Sequence, residues 1–286
     1  MMEFFAALAE QSFLQYALIA GVLASIACGL IGTYVVVMRI SYLAGGIAHS
    51  VMGGMGIAYY FGGSPFVGAL IAAVISALLI GLVKLYWQAR EDTLIGALWA
   101  SGMALGILFI SQTPGYQVDL MSYLFGNILL VADGDLWLMA GMDGIIILTI
   151  LVLYRPFQAV AFDPEFARLR GLPVNLLYLL LLCIVALTVV LLIQVVGLIL
   201  VIALLTLPAA IAGHYVRTLS ALMGLATLLG LAFTSAGLAI SYQPDLPAGA
   251  TIILLAAGSF IISSLISARK KPVQSPDSAS KSNIAN

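Results

Sequence analysis

From Leu172 to Tyr215 the chain runs 44 residues without one Asp, Glu, Lys or Arg. Drawn as a single helix at about 1.5 Å per residue, this stretch would be about 66 Å long, twice the ~30 Å of hydrocarbon in a bilayer. It is too apolar for water and too long for one crossing, so it must fold back on itself. The window Gln194 to Gly197, which holds a polar residue and a glycine, is where the turn is expected. Composition extends the argument to the whole chain. With 63% apolar residues, 8% charged residues and a mean hydropathy of +1.16, the 286 residues cannot clothe a water-soluble surface.

The remaining apolar runs follow the same rule of ~20 residues per crossing. Runs at about Phe13 to Met38, Phe66 to Trp87, Thr93 to Ser111, Leu136 to Tyr154, Leu219 to Ile240 and Ala248 to Ala268 each read as a span. Ala44 to Phe61 is glycine-rich and weakly hydrophobic for a span, and it ends in the turn-forming Gly62-Gly63-Ser64-Pro65. Leu120 to Val131 is too short to cross and reads as a re-entrant or interfacial helix. The predicted fold is therefore all-α and polytopic, with about nine spans. Residues 1–271 form one transmembrane domain, and the Ser/Lys/Asn-rich segment 272–286 is expected to be a disordered cytoplasmic tail. The residues before the first run carry Glu3 and Glu10 and no basic residue, so the first helix is expected to be retained rather than cleaved as a signal.

Orientation follows from the cytoplasmic bias of Lys and Arg. With an outer N-terminus, all 11 basic residues, from Arg39 through Arg217 to Lys281, fall on the inner side. Asp119, Asp133, Asp135 and Asp245 then lie outside with no basic companion. The net charge of −1 gives no electrostatic reason to expect nucleic acid as a partner. Cys28 and Cys183 sit inside apolar tracts and read as small buried hydrophobes.

Enzymatic signatures are missing. No GxxxxGK[ST], HExxH, CxxC or GxSxG occurs, so the chain is expected to be neither a nucleotide hydrolase nor an intramembrane enzyme, and any ATP must be hydrolysed by another subunit. Two isolated ionisable groups lie within spans. His49 stands between Gly45-Gly46 and Gly53-Gly54, where an imidazole either faces a polar path or packs in a close helix contact. Asp143, whose burial at a helix centre costs roughly 2.5–3.5 kcal/mol on insertion scales, faces either the bundle interior or water. His214 and Arg217 are read as cations at the inner end of a span.

Between spans, Phe162 to Pro173 specifies a short amphipathic helix on the cytoplasmic side. Asp163 can cap it, Pro164 suits its first position, Glu165 favours its positive end, Arg168 and Arg170 favour the other, and Gly171 can end it. Such a helix suits docking onto a cytosolic protein, the alternative being an ordinary interfacial helix.

These pieces together resemble the membrane permeases of the zinc/manganese/iron ABC importers. The resemblance rests on Arg39-x-Ser41-Tyr42-Leu43 leading to Ile47-Ala48-His49-Ser50, on Glu91-Asp92-x-x-Ile95-Gly96, and on Tyr123-Leu124-Phe125-Gly126-Asn127-Ile128-Leu129. The Phe162 to Pro173 segment and Gly197 to Ala210, ending in Pro208-Ala209-Ala210, complete it, so that it spans about residues 14 to 268 in order. It implies a multi-pass protein of the bacterial cytoplasmic (inner) membrane and a homodimer whose chains bind no cofactor of their own. Two cytosolic ATPase subunits would dock on a coupling segment containing Asp163, Glu165, Arg168, Arg170 and Gly171, and an extracytoplasmic metal-binding protein would deliver a divalent ion. His49 is the leading candidate ligand on the path, with Asp143 and Asn127 weaker ones.

The chain departs from the family at one point. Many members carry an acidic residue one helical turn before the histidine, where this chain has Gly45. Imidazole without carboxylate favours zinc mildly over manganese. The competing reading is an ion-coupled secondary transporter, which would be expected to carry several intramembrane carboxylates, and often inverted repeats.

Overall fold

The charge-free run breaks inside its expected window. Gly197 adopts φ +83°, a left-handed conformation that glycine takes without strain, and it joins two helices end to end. The computed structural model describes residues 7–87, 91–113, 126, 128–242, 244 and 246–270. In chain order its helices are α1 (Ser12–Val37), α2 (Ser41–Tyr60), α3 (Pro65–Trp87), α4 (Glu91–Ser111), α5 (Asp133–Phe162), the short α6 (Pro164–Leu169), α7 (Val174–Val196), α8 (Leu198–Tyr215), α9 (Leu219–Tyr242) and α10 (Ala248–Lys270). Of the expected re-entrant segment Gly126 and residues 128–131 are described, with one turn of 3₁₀ helix at Ile128–Leu130. Asn127 and the tail 272–286 lie outside the described residues.

Among the described residues eight helices are long and apolar enough to cross a membrane, one fewer than the number of spans predicted. The helix that falls short is α2, with five glycines and one histidine in its 20 residues. It nevertheless occupies the most enclosed position in its part of the bundle: Leu43 to Ala48, Ser50 to Gly53 and Gly56 are buried. Extensive packing on α3 and α4, which scarcely touch each other, accounts for that burial. Low hydropathy and burial have one cause. A helix enclosed by protein needs small residues for close approach more than it needs large apolar ones for lipid.

The fifth span also differs from its expected bounds. It does not stop at Tyr154 but continues through Pro156 to Phe162, so that Arg155 and Gln158 are helical. Thirty residues make about 45 Å of helix, the full thickness of a bilayer with its headgroup layers. The polar residues therefore lie where the helix leaves the hydrocarbon.

Other contacts follow the small-residue rule. α1 packs antiparallel on α9, with Ser25 of α1 facing Gly230 and Thr234 of α9. Their hydroxyls lie 3.4 Å apart, and each also donates to the carbonyl one turn earlier in its own helix. Such internal bonds leave neither of these two hydroxyls unpaired in lipid.

The α2 contact makes a specific expectation. A β-carbon added to Gly53 would lie 2.8 Å from the carbonyl oxygen of Gly102, whereas one added to Gly224 would meet no atom within 4 Å. Gly53→Leu should destabilise the purified protein by about 1–3 kcal/mol or more through overpacking, lowering its thermal midpoint in detergent, while Gly224→Ala should leave the midpoint unchanged.

Candidate functional site

The glycines of α2 and α4 set the register that builds the site. Gly53 of α2 meets Gly102 of α4, Gly56 meets Gly106, and Gly46 meets Ile95. Residue numbers rise together along both helices, so the two run parallel at an offset of about 50. The same offset places Trp99 opposite His49. Their rings are parallel within 9° with centroids 4.0 Å apart, and Tyr42, two turns before His49, approaches the same indole at 6.4 Å. Stacking uses the face of the imidazole, whereas its two nitrogen lone pair and N–H positions lie in the ring plane. The indole therefore fixes the ring without using either nitrogen.

Around His49 the space is open on one side. A β-carbon at Gly45, one turn earlier on the same helix face, would have nothing within 4 Å. The position where the resemblance expects a carboxylate can therefore accept one sterically. Trp99 was not legible as a site residue from the sequence. Only the glycine pairing of α2 with α4, which no local pattern reveals, brings it to His49.

Asp143 has a different setting. It is 3% exposed on α5, and neither carboxyl oxygen has a hydrogen-bond partner among the described residues. It lies within electrostatic reach of Cys28 on α1. The helices α2 and α5 are not packed together, so the structure does not gather His49 and Asp143 into one cluster. Among the described residues no group of three or more His, Cys, Asp or Glu side chains assembles. His214, at the end of α8, has a structural partner: its Nδ1 is 2.8 Å from Ser263 Oγ of α10, which in turn donates to Tyr215 Oη at 3.1 Å.

The segment after α5 has the expected build. Asp163 Oδ1 accepts from the Phe166 amide at 2.9 Å, Pro164 opens α6, and Gly171 at φ +76° ends the turn. Arg168 donates to Asn175 Oδ1 at 3.3 Å and Arg170 lies over the Phe166 ring, while Glu165 occupies the first turn. Phe162, Phe166 and Leu169 are nonetheless exposed at 59%, 49% and 87%. Between α5 and α6 lies a groove of about 610 Å³ lined by Tyr154, Arg155, Gln158 and Phe166 among others. α6 is thus capped at its start and closed by a glycine turn, and it presents apolar side chains beside a polar-rimmed groove.

A family model described as the ABC 3 transport family matches residues 10–267. An uncharacterized membrane protein of Synechocystis sp. is 50% identical over 254 residues, covering 89% of this chain and 90% of that protein. The manganese transport system membrane protein MntC of Halalkalibacterium halodurans is 38% identical over 267 residues, covering 93% and 91%. Among solved structures, PsaBC from Streptococcus pneumoniae in complex with Fab matches with a TM-score of 0.82 at 33% identity, covering 92% of this chain and 95% of that one.

Proposed function

The chain belongs to the ABC 3 transport family, and from that premise we propose that it forms the path of an ATP-driven importer for a divalent transition metal. It is a multi-pass membrane permease component, not an enzyme. Residues 1–271 act as one permease unit that pairs with a second copy, receives the ion from an extracytoplasmic metal-binding protein and docks cytosolic ATPase subunits on α6.

The observation that carries this reading is His49 held flat on Trp99. An imidazole inside a span is unfavourable unless it serves a polar path, and here its ring nitrogens are not used up by its own support. A path ligand must also release its ion, which favours few ligands over a closed cage. His49 is therefore the residue that touches the passing metal. Asp143 and Asn127 remain secondary candidates, Asp143 because its buried carboxyl has no hydrogen-bond partner among the described residues, an unfavourable state for a polar group.

Manganese is the leading cargo, supported by the name of the similar Halalkalibacterium protein. Zinc is the second reading, favoured by one observation: Gly45 leaves the imidazole without a carboxylate on its face.

His49→Ala should lower metal uptake into proteoliposomes by about 10-fold or more while leaving accumulation and ATPase binding unchanged. Gly45→Asp, which fits without clash, should raise the ratio of manganese to zinc uptake relative to the wild type. Normal uptake by His49→Ala would make the histidine a packing residue.

For coupling, Glu165 and Arg168 replaced together by Ala should weaken ATPase association or uncouple hydrolysis from uptake. Because Asp163 and Gly171 keep the helix capped in that variant, wild-type coupling would assign α6 a purely interfacial role.

A further inference from the structure

A histidine that binds a metal is ordinarily aimed by a hydrogen bond from its second ring nitrogen to a carboxylate or a carbonyl, which fixes the plane of the ring. His49 has no such support: among the described residues neither of its ring nitrogens makes a hydrogen bond. What defines the plane of its imidazole is the face of Trp99, parallel within 9° at 4.0 Å. The indole stands where a hydrogen-bonding partner would otherwise be needed.

We propose that Trp99 is a positioning residue for the passing ion: its indole holds the imidazole of His49 in the plane in which a ring nitrogen meets the metal, and so raises the affinity of the site for a divalent transition metal. This rests on the reading of His49 as the path ligand. Two effects act together. Fixing the ring in advance removes rotamer freedom that the ion would otherwise have to remove on binding. An ion on a ring nitrogen also draws electron density out of the imidazole, and an electron-poor ring is held more strongly by an electron-rich aromatic face, of which indole is the best. The stack is therefore tighter with the ion than without it, and whatever favours the loaded state raises the affinity by the same factor.

Other roles account less well for a tryptophan at this place. Indoles in spans commonly anchor the helix at the headgroup level, but Trp99 lies eight residues past Glu91, about 12 Å into a helix of 21 residues. Nor does the joining of α2 to α4 depend on it. Ile95 meets Gly46 and Gly102 meets Gly53, within about one turn on either side of Trp99, and Tyr42 reaches α4 independently, with its hydroxyl 3.6 Å from where a β-carbon on Gly96 would lie. These contacts persist when the indole is replaced, so a smaller side chain at 99 tests the stack rather than the fold.

The test is a Mn²⁺ titration of the assembled full-length transporter in lipid nanodiscs, with free ion counted from its electron paramagnetic resonance signal. The binding that disappears in His49→Ala is the component of interest. For that component Trp99→Leu should raise the dissociation constant by about three- to ten-fold, in keeping with the strength of an aromatic stack. Trp99→Phe, which keeps a ring against the imidazole, should raise it by less than about two-fold. Wild-type affinity in Trp99→Leu would overturn the proposal, and so would a loss in Trp99→Phe as large as in Trp99→Leu, since the stack would then not be what sets the affinity. Binding that is the same in the wild type and in His49→Ala would instead overturn the reading of His49, a result seen without touching Trp99, and this proposal would fall with it.

Discussion

Close approach of helix backbones at the glycines of α2 is the contact on which the candidate site depends. In lipid, helices gain nothing from burying apolar surface against each other, so association rests on packing and on internal satisfaction of polar groups. Gly53 against Gly102 and Gly54 against Gly68 let α2 lie closer to α4 and α3 than any side chain would permit. From that proximity follow the register of α2 with α4, the stacking of His49 on Trp99 and the burial of a helix too weakly apolar to face lipid.

Two regions of the molecule differ in build. Within the spans, a single imidazole is supported by an aromatic face and flanked by open space at Gly45. Where α5 leaves the hydrocarbon, the chain is instead rigid and capped, with Asp163, Pro164 and Gly171 defining a helix that keeps Phe166 and Leu169 exposed. On the function proposed above, the first region would be a path with few enough ligands to release an ion, and the second the surface through which another subunit moves the helices.

Much of this was legible in the sequence because the signals are local. The length of the charge-free run demanded an elbow, and Gly197 supplies it. Cap, proline and terminal glycine specified α6 within one or two residues. The misreadings have nonlocal causes. The fifth span continues past Tyr154 because a helix can extend through the headgroup layer, where Arg155 and Gln158 are stable. Hydropathy alone does not qualify α2 as a span, since its burial is provided by neighbours distant in sequence. Trp99 could be matched to His49 only once the glycine pairs had set the helix register, and that Asp143 lacks a hydrogen-bond partner among the described residues emerges only from the packed bundle.

The central claim is that a metal ion in transit touches the imidazole of His49. Its most direct test is electron-spin-echo spectroscopy of Mn²⁺ held by the assembled transporter in lipid nanodiscs, with and without isotopic labelling of histidine nitrogen. A nitrogen coupling that changes with the label and disappears in His49→Ala is the expected result. A Mn²⁺ signal with oxygen ligands alone, or a histidine coupling that survives His49→Ala, would contradict the claim.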